Sequence, residues 1–362
     1  MHHIALVLFA ALGLDRKNYG LAAFWALVTI LAGWSVIFAA SSWDYHGYIV
    51  YFQCATTALC FAPSFGGIEA SLTLIARTIA AVVGTDGGPA LVGFYSVFAV
   101  IIKLQVFRRE THAFGAALLA YLCFGFFVHE MTQVRVGFAI ALLWLSLSAW
   151  ATPQKKWFGL AWFALAVTIH TSAVLAAIVP VFARIRLSFS RVLILLVVAA
   201  IAGQLFETEL RPLIGTIDIV VAGRIGAYLS DIGSDISRVP QFSIYASCTA
   251  GIILVSYVGQ TFQNWTKFER MAQSSVVAGL ALYFMVYWLA VIGQRAFELL
   301  TSPLPFVVAA TWQHSRSSFI RVLLAVMLLA IFYNLMVRNG VMKDFVLDGT
   351  AQYMRIMQGA VN

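Results

Sequence analysis

Residues 155 to 184 read KKWFGLAWFALAVTIHTSAVLAAIVPVFAR, an apolar stretch between basic ends that is interrupted midway by His170, Thr171 and Ser172. Clusters of Lys and Arg mark the cytoplasmic side of a membrane protein, so Lys155-Lys156 and Arg184 on one side demand an even number of crossings between them. Two half-length helices meeting at a polar apex satisfy that demand. Irregular backbone at membrane depth is tolerated only where it is buried in protein or lines a wet cavity, so the apex is a candidate site from the outset.

Outward from this stretch, the whole chain has the same character. Of 362 residues, 62% are hydrophobic and 10% charged, against roughly 45–50% apolar and about 25% charged in soluble domains. A water-soluble fold is excluded. The net charge of +8 comes from 23 Lys and Arg against 15 Asp and Glu. So sparse a basic set in so apolar a chain reads as topology, not as a nucleic-acid surface. The expected fold is an all-α polytopic membrane protein, one domain over 1–362, with about 11 to 12 transmembrane helices.

The remaining basic clusters, Arg16-Lys17, Arg108-Arg109, Arg184/Arg186/Arg191, Lys267/Arg270 and Arg316/Arg321, are placed on the same cytoplasmic side. Between them lie apolar runs at about 20–40, 89–107, 112–129, 136–151, 156–169, 171–183, 191–206, 243–262, 274–293, 297–313 and 319–337. Parity favours keeping 44–88 on the external face, although two short crossings would satisfy the same parity. Its apolar run from Ser71 to Gly84 is about 21 Å long as a helix, short of the about 30 Å core, and is expected to lie in the interface. A second external segment, 207–242, carries Glu207, Glu209, Asp218, Asp231 and Asp235 with Arg211, Arg224 and Arg238, and is long enough to act as a lid. Residues 338–362 form a C-terminal tail. Met1 to Ile4 lacks the basic region of a secretory signal, so the N-terminus is expected to be retained. The cysteines Cys54, Cys60, Cys123 and Cys248 read as packing residues, with a Cys54–Cys60 disulfide open if both lie outside the cytoplasm.

Arg77, Arg135, Arg224 and Arg295 all fall on the external side, where charge bias predicts few. Arg135 heads a span, between His129-Glu130 and Gly137. Its planar fork suits a phosphate, because it gives bidentate charge-assisted hydrogen bonds and keeps its proton. Snorkelling to headgroups or pairing with Glu130 is the structural alternative. His170 at the apex could act as a general base or bind a sugar hydroxyl, or could serve only as a helix break. Asp44, with Tyr45 and Tyr48, could orient an acceptor on an aromatic platform, or belong to an interfacial belt. Glu69 has the same two readings. Arg295 and Glu298 share a helix face and form either a structural pair or an anion-directed guanidinium. Arg224 belongs to the lid. His129-Glu130 lacks the second His of a zinc-protease helix, and no phosphate loop, dinucleotide fingerprint or nucleophile elbow is present. No cofactor and no metal are expected. The energy for a reaction must then reside in the substrate, which fits a lipid diphosphate donor.

The order of these elements resembles a known group. Asp44 and Tyr48 follow an early span, Glu69 opens a short helix, and Arg135-Val136-Gly137-Phe138-Ala139 heads a span closed by Lys155-Lys156. Ile169-His170-Thr171-Ser172-Ala173 and then Arg295 with Glu298 complete the series. This is similar to the EpsG-like group of Wzy-type polysaccharide polymerases, over most of residues 40–300. The resemblance implies a GT-C-like membrane glycosyltransferase in the bacterial inner membrane with its active site facing the periplasm. It implies joining of undecaprenyl-diphosphate-linked oligosaccharide repeat units into O-antigen, capsule or exopolysaccharide, with inversion and without a metal. Carried over by position, Arg135 and Arg295 would hold the diphosphate, and His170 or Asp44 would take the proton. Glu69, Glu298, Arg224, Tyr45, Tyr48 and His129 would bind substrate. The implied partners are the lipid-linked oligosaccharide, the bilayer, and a chain-length regulator, flippase and ligase, with no nucleic acid. An O-antigen ligase, a flippase or transporter of the same glycan, and a membrane acyltransferase are the rival readings.

Overall fold

A computed structural model describes residues 21–39, 42–56, 70–185, 187–216, 241–258 and 264–335. Among them every element is helical. The chain is an all-α membrane protein, as its composition requires. By length and apolar composition, Gly88–Glu110, Val134–Ala151 and Phe189–Glu209 are each long enough to cross a bilayer, and six shorter apolar helices accompany them among the described residues.

The chain divides into two units, Met1–Thr171 with Leu328–Asn362, and Ser172–Met327. In the first, α1 (Leu21–Ala39), α2 (Trp43–Thr56), α3 (Ala70–Val83) and α4 (Gly88–Glu110) come in order. Helices α2 and α3 have 14 residues each, about 21 Å along the axis. Gly84, at φ 85°, stops α3 in the left-handed conformation that a side chain resists, and Pro89 opens α4 where no amide donor is needed. Arg77 Nε donates to the Ala55 carbonyl at 3.0 Å, tying α3 to α2.

Next, α5 (Phe114–Tyr121) runs into a π-helix, Leu122–Glu130, and the chain turns into α6 (Val134–Ala151). Thr152-Pro153 ends α6, since a residue before proline leaves the helical region. Helix α7 (Lys156–Ile169) then folds back against α6. Their contact is close because Gly159 has no side chain: a Cβ there would lie 2.3 Å from the Trp150 ring. Ser146 Oγ donates to the Gly159 carbonyl at 2.7 Å across the pair.

In the second unit, a 3-10 helix over Thr171–Ile178 (its first residue still in the first unit) leads into α8 (Val179–Phe182), followed by α9 (Phe189–Thr216). Helix α9 continues through Thr216, so residues 207–216 are helix and not the start of the expected lid. The rest of that segment, to residue 240, lies outside the described residues. Then follow α10 (Ile244–Tyr257), α11 (Lys267–Val286), α12 (Ala290–Thr301), α13 (Leu304–His314) and α14 (Ser318–Tyr333), the last shared between the units. The apolar runs expected at 274–293 and 297–313 are cut differently. Thr266 and Glu269 form a reciprocal capping box that starts α11 early, and Pro303 separates α12 from α13. Hydropathy alone shows neither, because both are local backbone events. Gly203 sits on the Phe284 carbonyl, where a Cβ would lie 1.9 Å away, and so lets α9 meet α11 backbone to backbone.

Candidate functional site

The π-helix ends in His129 and Glu130, both buried. Gly125 makes room for the imidazole, since a Cβ there would lie 3.0 Å from His129 Nδ1. His129, expected to bind substrate, is therefore packed inside the unit. Glu130 pairs with Lys103 of α4, and both side chains have no exposure to solvent. Tyr121 donates to the same carboxylate oxygen at 2.9 Å, and Ser96 Oγ donates to the Glu130 carbonyl at 2.9 Å. The Lys103 ammonium also lies 5.5 Å from the centre of the Tyr121 ring and 5.4 Å from that of Trp144. The alternative in which Arg135 pairs with Glu130 is thus answered: the partner is Lys103.

Sequence reading passed over Lys103. A lone lysine among Ile101, Ile102 and Leu104 in a spanning helix was the available signal, because an intramembrane charge is functional by default. Its partner could not be read from the chain, being 27 residues away in sequence and brought close only by the packing of α4 against the π-helix.

Past Glu130 the backbone turns and delivers Arg135 in the first turn of α6, half-buried. Gln133 precedes the helix without a side-chain cap, and the Arg135 amide donates to Tyr48 Oη at 3.4 Å. Tyr48 is buried and lies one turn along α2 from Asp44, which is exposed; Tyr45 is half-buried. A helix N-terminus carries partial positive charge, and Arg135 adds a full one at the same place. Such a pairing favours an anion.

His170 follows Ile169 with extended backbone, φ −150° and ψ 112°, and ends α7 before the 3-10 helix begins. The expected polar break is therefore real. Arg135 and His170 stand the same number of residues from the Ser146–Gly159 contact on antiparallel helices, about 16 Å along each. They occupy one end of the α6–α7 hairpin, opposite Lys155-Lys156. Ser71 of α3 donates to the Thr168 carbonyl, bringing the start of α3 to the same end. The structure thus places Asp44, Tyr48, Arg135 and His170 on elements that meet at one end of the first unit. Glu69 and Arg224 lie outside the described residues. Arg295 and Glu298 belong to α12 in the second unit, where Glu298 is buried and accepts from Gln294 Nε2 at 2.9 Å.

Of the cysteines read as packing residues, Cys54 is in a disulfide, the alternative left open for it, while Cys123 and Cys248 are free thiols. Cys60 lies outside the described residues.

A model of the EpsG family matches residues 21–347. The chain belongs to the EpsG family. That membership carries a polymerase-type role in polysaccharide biosynthesis and a transmembrane character, both in keeping with the apolar helices of this EpsG protein. No curated protein and no solved structure is significantly similar to it.

Proposed function

We propose that this EpsG-family protein is a glycosyltransferase that polymerises oligosaccharide repeat units carried on a polyprenyl diphosphate, at the external face of the bacterial inner membrane. The observation that carries the reading is the placement of Arg135 and His170 at one end of one helical hairpin, with Tyr48 against the Arg135 backbone. The chemistry needs a cation for a leaving diphosphate and a base for an attacking hydroxyl, and these two side chains are of those types. In the reaction, the acceptor hydroxyl attacks the anomeric carbon of the donor sugar and its bond to the diphosphate oxygen breaks. The hydroxyl proton passes to His170, and Arg135 with the α6 N-terminus balances the charge of the departing lipid diphosphate. A single displacement of this kind inverts the anomeric centre.

Asp44 and Tyr48 are proposed to bind the acceptor, and Arg295, in the second unit, is proposed to be required for activity. The disulfide at Cys54 supports an oxidising compartment for α2, and Lys155-Lys156 at the opposite end of the hairpin supports the cytoplasm there. Purified protein incubated with a synthetic lipid-diphosphate repeat unit is expected to yield a ladder of products on a gel. Arg135→Ala, His170→Ala and Arg295→Ala proteins that insert normally are expected to lose it. A ladder retained by all three overturns the assignment of residues, and no ladder from the unaltered protein overturns the activity.

A further inference from the structure

The turn Met131-Thr132-Gln133 sets where Arg135 emerges, and its first anchor is Glu130. That residue is held from several directions at once. Ser96 Oγ takes its carbonyl at 2.9 Å, while Lys103 Nζ and Tyr121 Oη, the latter at 2.9 Å, both reach Oε1. Oε2 is buried with no hydrogen-bond partner among the described residues. From the other side α6 closes on the same group at Gly137, where a Cβ would lie 2.5 Å from the His129 carbonyl oxygen and 2.6 Å from Glu130 Oε2. Gly137, two residues after Arg135, therefore fits the helix to the braced carboxylate and leaves no space for a side chain.

A buried ion pair is weak support for stability, because apolar residues of similar volume often do as well or better. What the pair supplies instead is a fixed position, since a carboxylate anchored to α4 cannot slide within the packed core. We infer that Lys103 and Glu130 are positioning residues that hold the 130–135 turn so that the Arg135 guanidinium is set for the donor diphosphate. This deepens the polymerase reading and rests on it for the identity of the anion. Neither residue touches substrate; both act through the backbone that carries Arg135.

Two variants test it on the full-length protein in detergent. Glu130→Gln keeps an acceptor for Tyr121 but removes the charge, and the double variant Lys103→Met/Glu130→Leu removes both charges and leaves none stranded. Hydrogen exchange is followed in the peptide spanning 128–137, and polymerisation rate is measured against concentration of the synthetic lipid-diphosphate repeat unit. In folded preparations of both variants, the 128–137 amides are expected to exchange about tenfold faster while the rest of α6 and α7 is unchanged. kcat/KM for the donor is expected to fall about ten- to a hundredfold, most of it in KM, as misplacement of a binding group requires. Unchanged exchange in the segment overturns the inference, and so does faster exchange with an unchanged KM. If the unaltered protein makes no polymer, the polymerase reading fails on its own, and the exchange measurement still decides whether the pair braces the turn.

Discussion

Among the described residues, Lys103 and Glu130 are the two charges most deeply buried, and removing them one at a time differs from removing them together. Lys103→Met leaves an unbalanced carboxylate in the core and is expected to cost about 3–5 kcal/mol, read as loss of folded, monodisperse protein on heating in detergent. Lys103→Met/Glu130→Leu is expected to regain most of that stability. If the single and double variants melt alike, the pair is not the buried unit that its geometry describes. Arg135 belongs to a different class. It sits half-exposed at a helix start, and its replacement should spare the fold while removing the group proposed to hold the diphosphate.

Among the elements, the α6–α7 hairpin matters most, because it carries Arg135 and His170 to a common level. Its closeness depends on Gly159 beneath the Trp150 ring and on the Ser146 hydroxyl bound to the Gly159 carbonyl. Gly159→Val forces the helices apart or Trp150 out of its rotamer. A destabilisation of about 1–3 kcal/mol is expected from such overpacking, with a parallel fall in polymer yield per folded molecule. Normal activity in a folded Gly159→Val protein would show that the spacing of the hairpin is immaterial to the site. The π-helix is the other telling element. π-turns are rare and frequent at functional sites, and this one delivers the buried His129 and Glu130 to the turn before Arg135.

At the scale of the whole molecule, sidedness is the property that the proposed chemistry requires. Cys54 in a disulfide and the Lys155-Lys156 turn make opposite predictions for thiol chemistry. In intact cells, with the native cysteines replaced, a single Thr85→Cys is expected to react with a membrane-impermeant maleimide, and Gln154→Cys is expected to react only after lysis. The reverse pattern would put Arg135 and His170 on the cytoplasmic side and remove the basis for an external lipid-linked substrate.

The amino-acid sequence by itself determined the class of protein, the helical character, the break at His170 and the special standing of Arg135 at the head of a span. These are consequences of composition and of local pattern: a chain with 62% apolar residues cannot keep them all in water, and the polar triplet His170-Thr171-Ser172 in the middle of an apolar stretch marks a break. Helix ends inside continuous apolar stretches were less legible, as the division into α11, α12 and α13 shows, because capping and proline act on the backbone without changing hydropathy. Only the tertiary structure decided that Glu130 answers to Lys103 and that Gly137 and Gly159 are sites of close approach. Each depends on groups distant along the chain competing for one buried place. In a low-dielectric interior the winner is set by packing distance, which no local pattern encodes.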